Sequence, residues 1–556
     1  MKKFLGYIIC LLLLLPVLAL PSFAAGSSDI ATVSDPCPDL EMGGGVSLLS
    51  EADDVTAAYN QLYAGLKDYS DFTEESAITV TVPSGFTADD MEKLYYNVTY
   101  EYPELFWFSS AVGFGCSGIY SDNGKQLYKY YPKFIAEFNT AEKLSAAKAD
   151  FDAALSNAMN ECLPNGGASM TAVEKLLSVH DWVVAHCQYD QAALNTGSVS
   201  SYKIFTAYGA LVDRDAVCQG YSLAVNLLLN GKAPASYVSY SVTSDSIRHM
   251  WNIVKIGDSW YHMDATYDDP YSQLDGSSGD KYDLPGFADH KYFLLSDAEL
   301  FSRQPARSDY SGRYGYKCSA SYASSKPWTA SATSFVYNSA KDNFITAASL
   351  YSESTYTNCK IETVSFAADG SASVSTLWQM NDIVFTAAFS FDFKKLYYIT
   401  YSDNSTIYSL DIGSGSTAAV CSLTPAGSGR MGVKIENGRL YGWQNYAGTG
   451  SVSLDIRKTT SGPVAVTYTQ GLDPSALSGM VLDLKNALSD ALTVSCVVAY
   501  YSASGRMLGC ESHDVALAAN GSGSVTVTGS FSAAAARIMV IGASGGAPYS
   551  DSVYYG

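Results

Sequence analysis

The chain has 556 residues, of which 47% are hydrophobic and 16% charged, a composition of several globular domains rather than of one core or a disordered polymer. Its formal net charge of −21 excludes a nucleic-acid-binding role, which needs a basic footprint to displace counterions from phosphates. Acidity suits a soluble exported protein but names no partner.

Met1-Lys2-Lys3 is a short basic start, Phe4 to Leu20 is an apolar run, and Ser22-Phe23-Ala24 places small residues before a cleavage site. Residues 1–24 are therefore expected to be a signal peptide, leaving a secreted or cell-surface protein with no stable membrane span after cleavage. Residues 25–50, rich in Ser, Gly and Pro, read as a flexible leader. A mixed helix/strand N-terminal domain is expected over 51–165. Its first helix, Ala52 to Tyr69, carries Val55, Tyr59, Leu62 and Leu66 on one face. Thr87 caps a second helix with Met91, Leu94 and Tyr95. Tyr102 to Phe108 reads as a turn into a buried strand. A longer helix, Thr140 to Cys162, stops at Pro164-Asn165-Gly166-Gly167.

A catalytic domain is expected over 166–305. Thr171 and Glu174 form a capping-box signature ahead of Val173, Leu176, Leu177 and Val179, on a helix ending near Tyr189. From residue 330 the texture turns β-rich. Leu396-Tyr397 and Ser409-Leu410-Asp411-Ile412 recur as Leu440-Tyr441 and Ser453-Leu454-Asp455-Ile456, both at an offset of 44 residues, the period of a propeller blade. A degenerate earlier copy covers 344–375. So few copies cannot close a propeller, so 330–460 is expected to be a β-meander module with propeller-like repeats. Residues 463–556 hold short alternating strands near Val464–Tyr468, Val481–Leu484, Leu492–Tyr500, Ser524–Val527 and Ile538–Ile541. They resemble the immunoglobulin-like sandwiches at the ends of bacterial surface proteins.

The chemistry gathers in the middle. Asp215-Ala216-Val217-Cys218-Gln219-Gly220-Tyr221 precedes a helical run that stops at Asn230-Gly231. Cys218 thus falls in a first helical turn, where the dipole and free amides favour a thiolate and can bind a developing oxyanion. Downstream, His249 to Ile256 and Ser259 to Thr266 are strands joined by Gly257-Asp258, a two-residue hairpin turn. That turn places Asp264 opposite Trp251 and His249 opposite Thr266. His249 and Asp264 then share a face as diagonal neighbours, roughly 7–8 Å apart along the backbone, which imidazole and carboxylate can bridge. Nucleophile, base and orienting acid are the three roles of a Cys–His–Asp triad.

The other titratable residues form no rival site. His180 and His186 lie six apart on one helix and read as structural. His262 shares the face of Asp264. His290 and His513 have no partner in the sequence pattern. The acidic loop with Asp268, Asp269, Asp275, Asp280 and Asp283 lacks an ordered calcium-loop spacing and reads as solvated. Ten of the eleven cysteines follow the apolar start, scattered singly, and Cys496 with Cys510 is the most local pair. No metal site or cofactor motif is present.

The blocks Thr206-Ala207-Tyr208-Gly209-Ala210-Leu211, Ala216-Val217-Cys218-Gln219-Gly220-Tyr221, His249-Met250-Trp251-Asn252-Ile253-Val254 and Trp260-Tyr261-His262-Met263-Asp264-Ala265-Thr266 resemble the microbial branch of the transglutaminase-like superfamily. The upstream His180-Asp181-Trp182 and Tyr189-Asp190 are similar too, so the resemblance covers about 170–300. It implies an α+β fold with a papain-like core. Cys218 would be the nucleophile, His249 the base and Asp264 its orienter, with no organic cofactor. Tyr208, Gln219 and Trp182 are the candidate side-chain oxyanion donors. The residue after the nucleophile is Gln219, where animal cross-linking transglutaminases have Trp, so calcium dependence and cross-linking are not implied.

The expected function is an exported cysteine peptidase or amidohydrolase acting through a thioester on protein or peptide substrates, cell-wall peptides among them. Acyl transfer to an amine is the alternative reaction. A non-catalytic surface binding or adhesion protein is the alternative class, motivated by the β-rich half and 42 tyrosines.

Overall fold

The computed structural model describes residues 31–32 and 53–555, apart from short stretches that include 191–198, 233–235, 274–280, 284–287, 423–430, 445–451 and 470–473. The expected signal peptide, and the leader apart from Ala31–Thr32, lie outside the described residues. No described helix is long and apolar enough to cross a membrane.

The described residues form a mixed α/β chain with few helices and many antiparallel sheets. Its α-helices are α1 Asp53–Asp68, α2 Ala88–Glu101, α3 Ala141–Cys162, α4 Ala172–His186, α5 Cys218–Asn230 and α6 Asp297–Arg303. Two compact units emerge. One comprises Met1–Ala154, His186–Lys281 and Lys291–Ala323; the other comprises Leu155–Ala185, Tyr282–His290 and Ser324–Gly556.

In the first unit, α1 buries Tyr59, Leu62 and Leu66, the face its period predicts. Thr87 caps α2 in a reciprocal box with Asp90. Strands β1 Ile78–Val82, β2 Phe114–Asp122 and β3 Lys125–Pro132 pair antiparallel in the order β2-β3-β1. Tyr95, Phe114 and Tyr130 pack there, Tyr95 and Phe114 with ring centroids 4.5 Å apart. The strand expected at Tyr102–Phe108 is not formed. Successive turns replace it, with the Leu105 N–H bonded to Tyr102 O and the Phe108 N–H to Leu105 O. An unbroken apolar run carries no period to distinguish strand from turn, and burial of Phe106 against Phe138 and Phe151 decides the matter.

The central sheet has the order β7-β6-β5-β4, with β4 Ser239–Ser244, β5 His249–Ile256, β6 Ser259–Met263 and β7 Phe293–Leu295. The β5–β6 hairpin turns at Gly257, whose φ of +59° is the conformation such a turn demands. Its register pairs Asn252 with Met263 and Ile256 with Ser259, the register expected from the two-residue turn. Helix α5 packs on β4 and β5, and Gly231 at φ +75° stops it.

In the second unit, Thr171 and Glu174 cap α4 reciprocally. Three antiparallel meanders follow. The first is β8 Val336–Asn338, β9 Asn343–Ala348, β10 Cys359–Phe366 and β11 Ala372–Met380. The second is β12 Val384–Phe389, β13 Lys395–Thr400, β14 Thr406–Asp411 and β15 Thr417–Ser422. The third is β16 Met431–Glu436, β17 Arg439–Gln444 and β18 Val452–Asp455. The repeat is one of register: Leu396 faces Leu410 and Tyr397 faces Ser409, as Leu440 faces Leu454 and Tyr441 faces Ser453. Side-chain alternation lets the middle sheet bury both faces. Leu396 and Tyr398 pack with Ile345 and Ile361 of the first sheet, and Tyr397 and Ile399 with Val433 and Leu440 of the third.

The last segment is a two-sheet β-sandwich. One sheet is β19 Lys458–Thr459, β20 Val464–Tyr468, β21 Val481–Asn486 and β24 Ser522–Thr526. The other has the order β23-β22-β25-β26, with β22 Leu492–Tyr501, β23 Met507–Leu517, β25 Ala535–Gly542 and β26 Val553–Tyr555. Val466, Leu482, Val498, Ile538 and Val540 share one core between them. The local pair Cys496–Cys510 is not joined. Register sets Cys496 opposite His513 and Cys510 opposite Ala499, and both thiols are free.

Leu396 is 0% exposed and Leu440 is 1%. Leu396→Ala and Leu440→Ala should each cost about 2–5 kcal/mol, read by denaturant unfolding. A loss at one position only would show that the two repeats do not share a structural role.

Candidate active site

Cys218 opens α5 as its first residue, after Val217, which offers no side-chain cap to the first-turn amides. The glycines around it answer to backbone proximity. A Cβ on Gly220 would lie 2.6 Å from Ile204 O and 3.0 Å from Thr206 O, and one on Gly209 would lie 2.4 Å from Lys203 O. Any side chain there would push the 203–206 segment off the start of α5, at about 1–3 kcal/mol. Gln219 closes the same seam: its Nε2 donates to Phe205 O at 2.9 Å, and Ser110 Oγ donates to its Oε1 at 3.2 Å.

A buried polar network sets α5 against the strand that begins with His249. Asn252, 1% exposed, donates from Nδ2 to Ser222 O at 3.0 Å and to Asn226 Oδ1 at 2.9 Å. Asn226 Nδ2 donates to Ser241 Oγ at 2.8 Å, and Ser222 Oγ lies 2.7 Å from that same oxygen. Helix α5, β4 and β5 are therefore pinned by groups whose hydrogen bonds are costly to leave unmade.

His249 and Asp264 meet as the hairpin register requires, with His249 Nε2 2.8 Å from Asp264 Oδ2 and both residues buried. Asp264 stands one residue beyond β6, and its Oδ1 accepts the Tyr267 N–H at 3.1 Å. Trp251 stacks on the imidazole at 5.8 Å and 15°, and Tyr267 presents its edge at 4.8 Å. A residue outside the sequence reading completes the group: Arg307, fully buried, places Nη1 2.7 Å from Asp264 Oδ2. Burial opposes the charge on Asp264, but His249 and Arg307 outweigh it and hold the carboxyl below its ordinary range. For His249 burial is the larger influence and lowers its pKa; Asp264 pulls upward and Arg307 downward.

The remaining histidines are better partnered than their sequence context suggests. His262 Nδ1 accepts the Trp251 indole N–H at 3.0 Å, and Nε2 lies 3.0 Å from Asp297 Oδ1. Indole can only donate, so His262 carries its proton on Nε2 and holds Trp251 in place against His249. His290, read as partnerless, lies 2.9 Å from Asp181 Oδ1, which also takes His180 Nδ1 at 2.7 Å. His513, read likewise, lies 2.8 Å from Glu511. The groups His180–Asp181–His290 and His262–Asp297–Cys318 bring together potential metal ligands. Their closest spacings are those of hydrogen bonds, whereas ligands on one tetrahedral zinc stand about 3.3 Å apart. Protonated Nε2 further disqualifies His262 as a ligand through that atom. Of the oxyanion candidates, Trp182 donates its one N–H to Glu161 at 2.7 Å, and Gln219 donates to Phe205 O. Tyr208 is packed among Phe106, Phe138 and Phe151. Within the acidic loop, Asp268 accepts the Tyr292 N–H and Asp269 the Tyr221 hydroxyl; the side chains of Asp275, Asp280 and Asp283 lie outside the described residues. Near Cys218, Asp215 is pushed up to about 7 by burial and by Asp190 and Asp213.

His249 and His262 both have lowered folded-state pKa values, burial being the largest cause in each. Between those values and an unfolded value of about 6.5, the unfolded chain binds more protons, so stability rises with pH up to about 6.5 and falls below it. Asp215, pushed up to about 7, holds its proton in the folded state and works the other way, so two histidines against one carboxyl leave a net drop of the thermal midpoint from pH 6.5 towards pH 5. A midpoint that rises on acidification to pH 5.5 contradicts this. Asn252→Ala should cost about 1–3 kcal/mol by orphaning its buried partners, read as a lower denaturant midpoint with an unchanged m-value.

Residues 163–265, the stretch that holds Cys218, His249 and Asp264, match the family model of the transglutaminase-like superfamily. No curated protein matches the chain significantly. Similar solved structures include the crystal structure of a TGase, at 14% identity over 39% of this chain and 60% of that chain, with a TM-score of 0.18. Another is PorZ, a bacterial surface component of the type-IX secretion system of Porphyromonas gingivalis, at 9% identity over 58% of each chain, TM-score 0.17. A protein from Lactobacillus plantarum matches at 11% identity over 53% of this chain and 96% of that one, TM-score 0.15. At these scores the likeness carries no argument about fold or function, and the chain spans 60% of the first structure's length.

Proposed function

We propose that the transglutaminase-like region makes this chain an exported cysteine-dependent amidohydrolase or peptidase, with Cys218, His249 and Asp264 as its triad on a papain-like core. The observation that carries the reading is the buried His249–Asp264 pair, 2.8 Å apart, whose histidine opens the strand against which the Cys218 helix is packed. Asp264 engages Nε2 of the imidazole, which leaves Nδ1 for the thiol.

In the proposed reaction the Cys218 sulfur attacks a carboxamide or peptide carbonyl carbon, and its proton passes to His249 Nδ1. First-turn amides of α5, left without a side-chain cap by Val217, bind the oxyanion of the tetrahedral intermediate. That intermediate breaks its C–N bond, and His249 returns the proton to the departing amine, leaving a thioester. Water then adds to the thioester with His249 as base. The acid departs, and the proton ends on the Cys218 sulfur. Asp264 keeps the imidazole oriented through both halves.

The strand order of the C-terminal sandwich supports an immunoglobulin-like reading. Strands β20-β21-β24 and β23-β22-β25-β26 follow the A-B-E and C′-C-F-G order of such domains. With the leader pattern at residues 1–24, this favours a surface-displayed enzyme that meets peptides outside the cell, those of the wall included.

Incubating the protein with a glutamine peptide and a labelled primary amine separates the outcomes. Conversion of the glutamine side chain to the free acid, with release of ammonia, or cleavage of the unlabelled peptide supports hydrolysis, label incorporation supports transfer, and Cys218→Ala should lower any of these by at least about 10³-fold. Turnover that survives Cys218→Ala would overturn the triad. If a thiol-directed electrophile also showed no preference for Cys218, the non-catalytic binding reading would gain.

A further inference from the structure

Arg307 lies beyond the family-matched stretch, in the turn Pro305–Asp309. Its side chain is 0% exposed. The guanidinium carbon sits 4.2 Å from the Tyr267 ring centroid, 4.7 Å from Trp251 and 5.1 Å from Tyr292. Trp251 and Tyr267 are the rings that enclose His249. Nη1 meets Asp264 Oδ2 at 2.7 Å, while Nε and Nη2 have no hydrogen-bond partner among the described residues.

Such an arginine is a poor structural fastener. A buried guanidinium recovers its desolvation cost best through a bidentate fork on a carboxylate, and here that fork is not made. What Arg307 does supply is a full positive charge on the oxygen that also takes His249 Nε2. The other groups around the imidazole leave the charge balance to these two. Tyr267 offers a ring edge, Tyr292 lies against Arg307, and Asp268 is bonded to the Tyr292 N–H. His262 stands behind Trp251, bound to Asp297. With Arg307 present, neutral imidazole leaves one positive and one negative charge in the pocket, whereas imidazolium leaves two positive against one negative.

Resting on the proposed triad, we infer that Arg307 is its positioning residue: it shares the Asp264 carboxylate with His249 and keeps the resting imidazole neutral rather than protonated. The effect of Arg307 on His249 runs in the required direction, downward and together with burial.

The test is a titration of the His249 ring by NMR on the full chain with ¹⁵N-labelled histidine. Cys218→Ala decouples the thiol, and His249→Gln assigns the signal. The His249 midpoint should lie below the ordinary value of about 6.5 without further substitution, rise by about one pH unit in Arg307→Met, and stay low in Arg307→Lys. On glutamine peptides, Arg307→Met should lower kcat by up to about 8-fold at pH 6 with little change in KM, and Arg307→Lys should restore most of it. A His249 midpoint at or above 6.5 in the Cys218→Ala chain overturns the inference. So does a folded Arg307→Met protein with an unmoved midpoint. The first criterion stands even if Arg307→Met does not fold. A low midpoint that Arg307→Met raises, in a chain with no turnover, supports the Arg307 assignment and removes the catalytic reading alone.

Discussion

The carboxylate of Asp264 is the one group on which the central region converges. Its Oδ2 faces both His249 and Arg307, while Oδ1 accepts the Tyr267 amide. Three separate segments, the β5 strand, the 264–268 turn and the 305–309 turn, meet on one acidic side chain. A buried charge tolerates this only when its partners are close and charged. Asp264 therefore constrains the placement of every ring around it: Trp251 and Tyr267 line both the imidazole and the guanidinium.

Around that centre the sequence serves placement more than stability. Gly209 and Gly220 stand where backbone carbonyls leave no room for a Cβ. Asn252 spends its side-chain amide on joining α5 to β5. His262, which shares the triad's sheet, acts one step away by fixing Trp251. Its indole-accepting nitrogen explains why a second histidine beside the first does not form a second base.

The β modules obey a simpler rule. In the meanders, alternation along each strand fills both faces of the middle sheet, and matched register repeats Leu396 and Leu440 as equivalent buried positions. In the sandwich the alternation is one-sided, with a shared core and an exposed outer face on β23. Both follow from the period of two that strands impose.

Where the chemistry is local, the residue order already determined the outcome. A two-residue turn with glycine at its first position dictates the β5–β6 register, and that register carries Asp264 to the His249 end of β5. Capping boxes at Thr87 and Thr171, the stop at Gly231, and the spacing that becomes the repeat are decided within a few residues by hydrogen bonding and side-chain period. Tertiary structure decided what no local period encodes. Arg307 finds Asp264, His290 joins Asp181, His513 meets Glu511, and the aromatic run at 102–108 coils into turns instead of extending. These partners come from segments distant in the chain or from packing with no preferred period. A long-range pair is chosen by which surfaces can exclude water together, and only the folded chain carries that information.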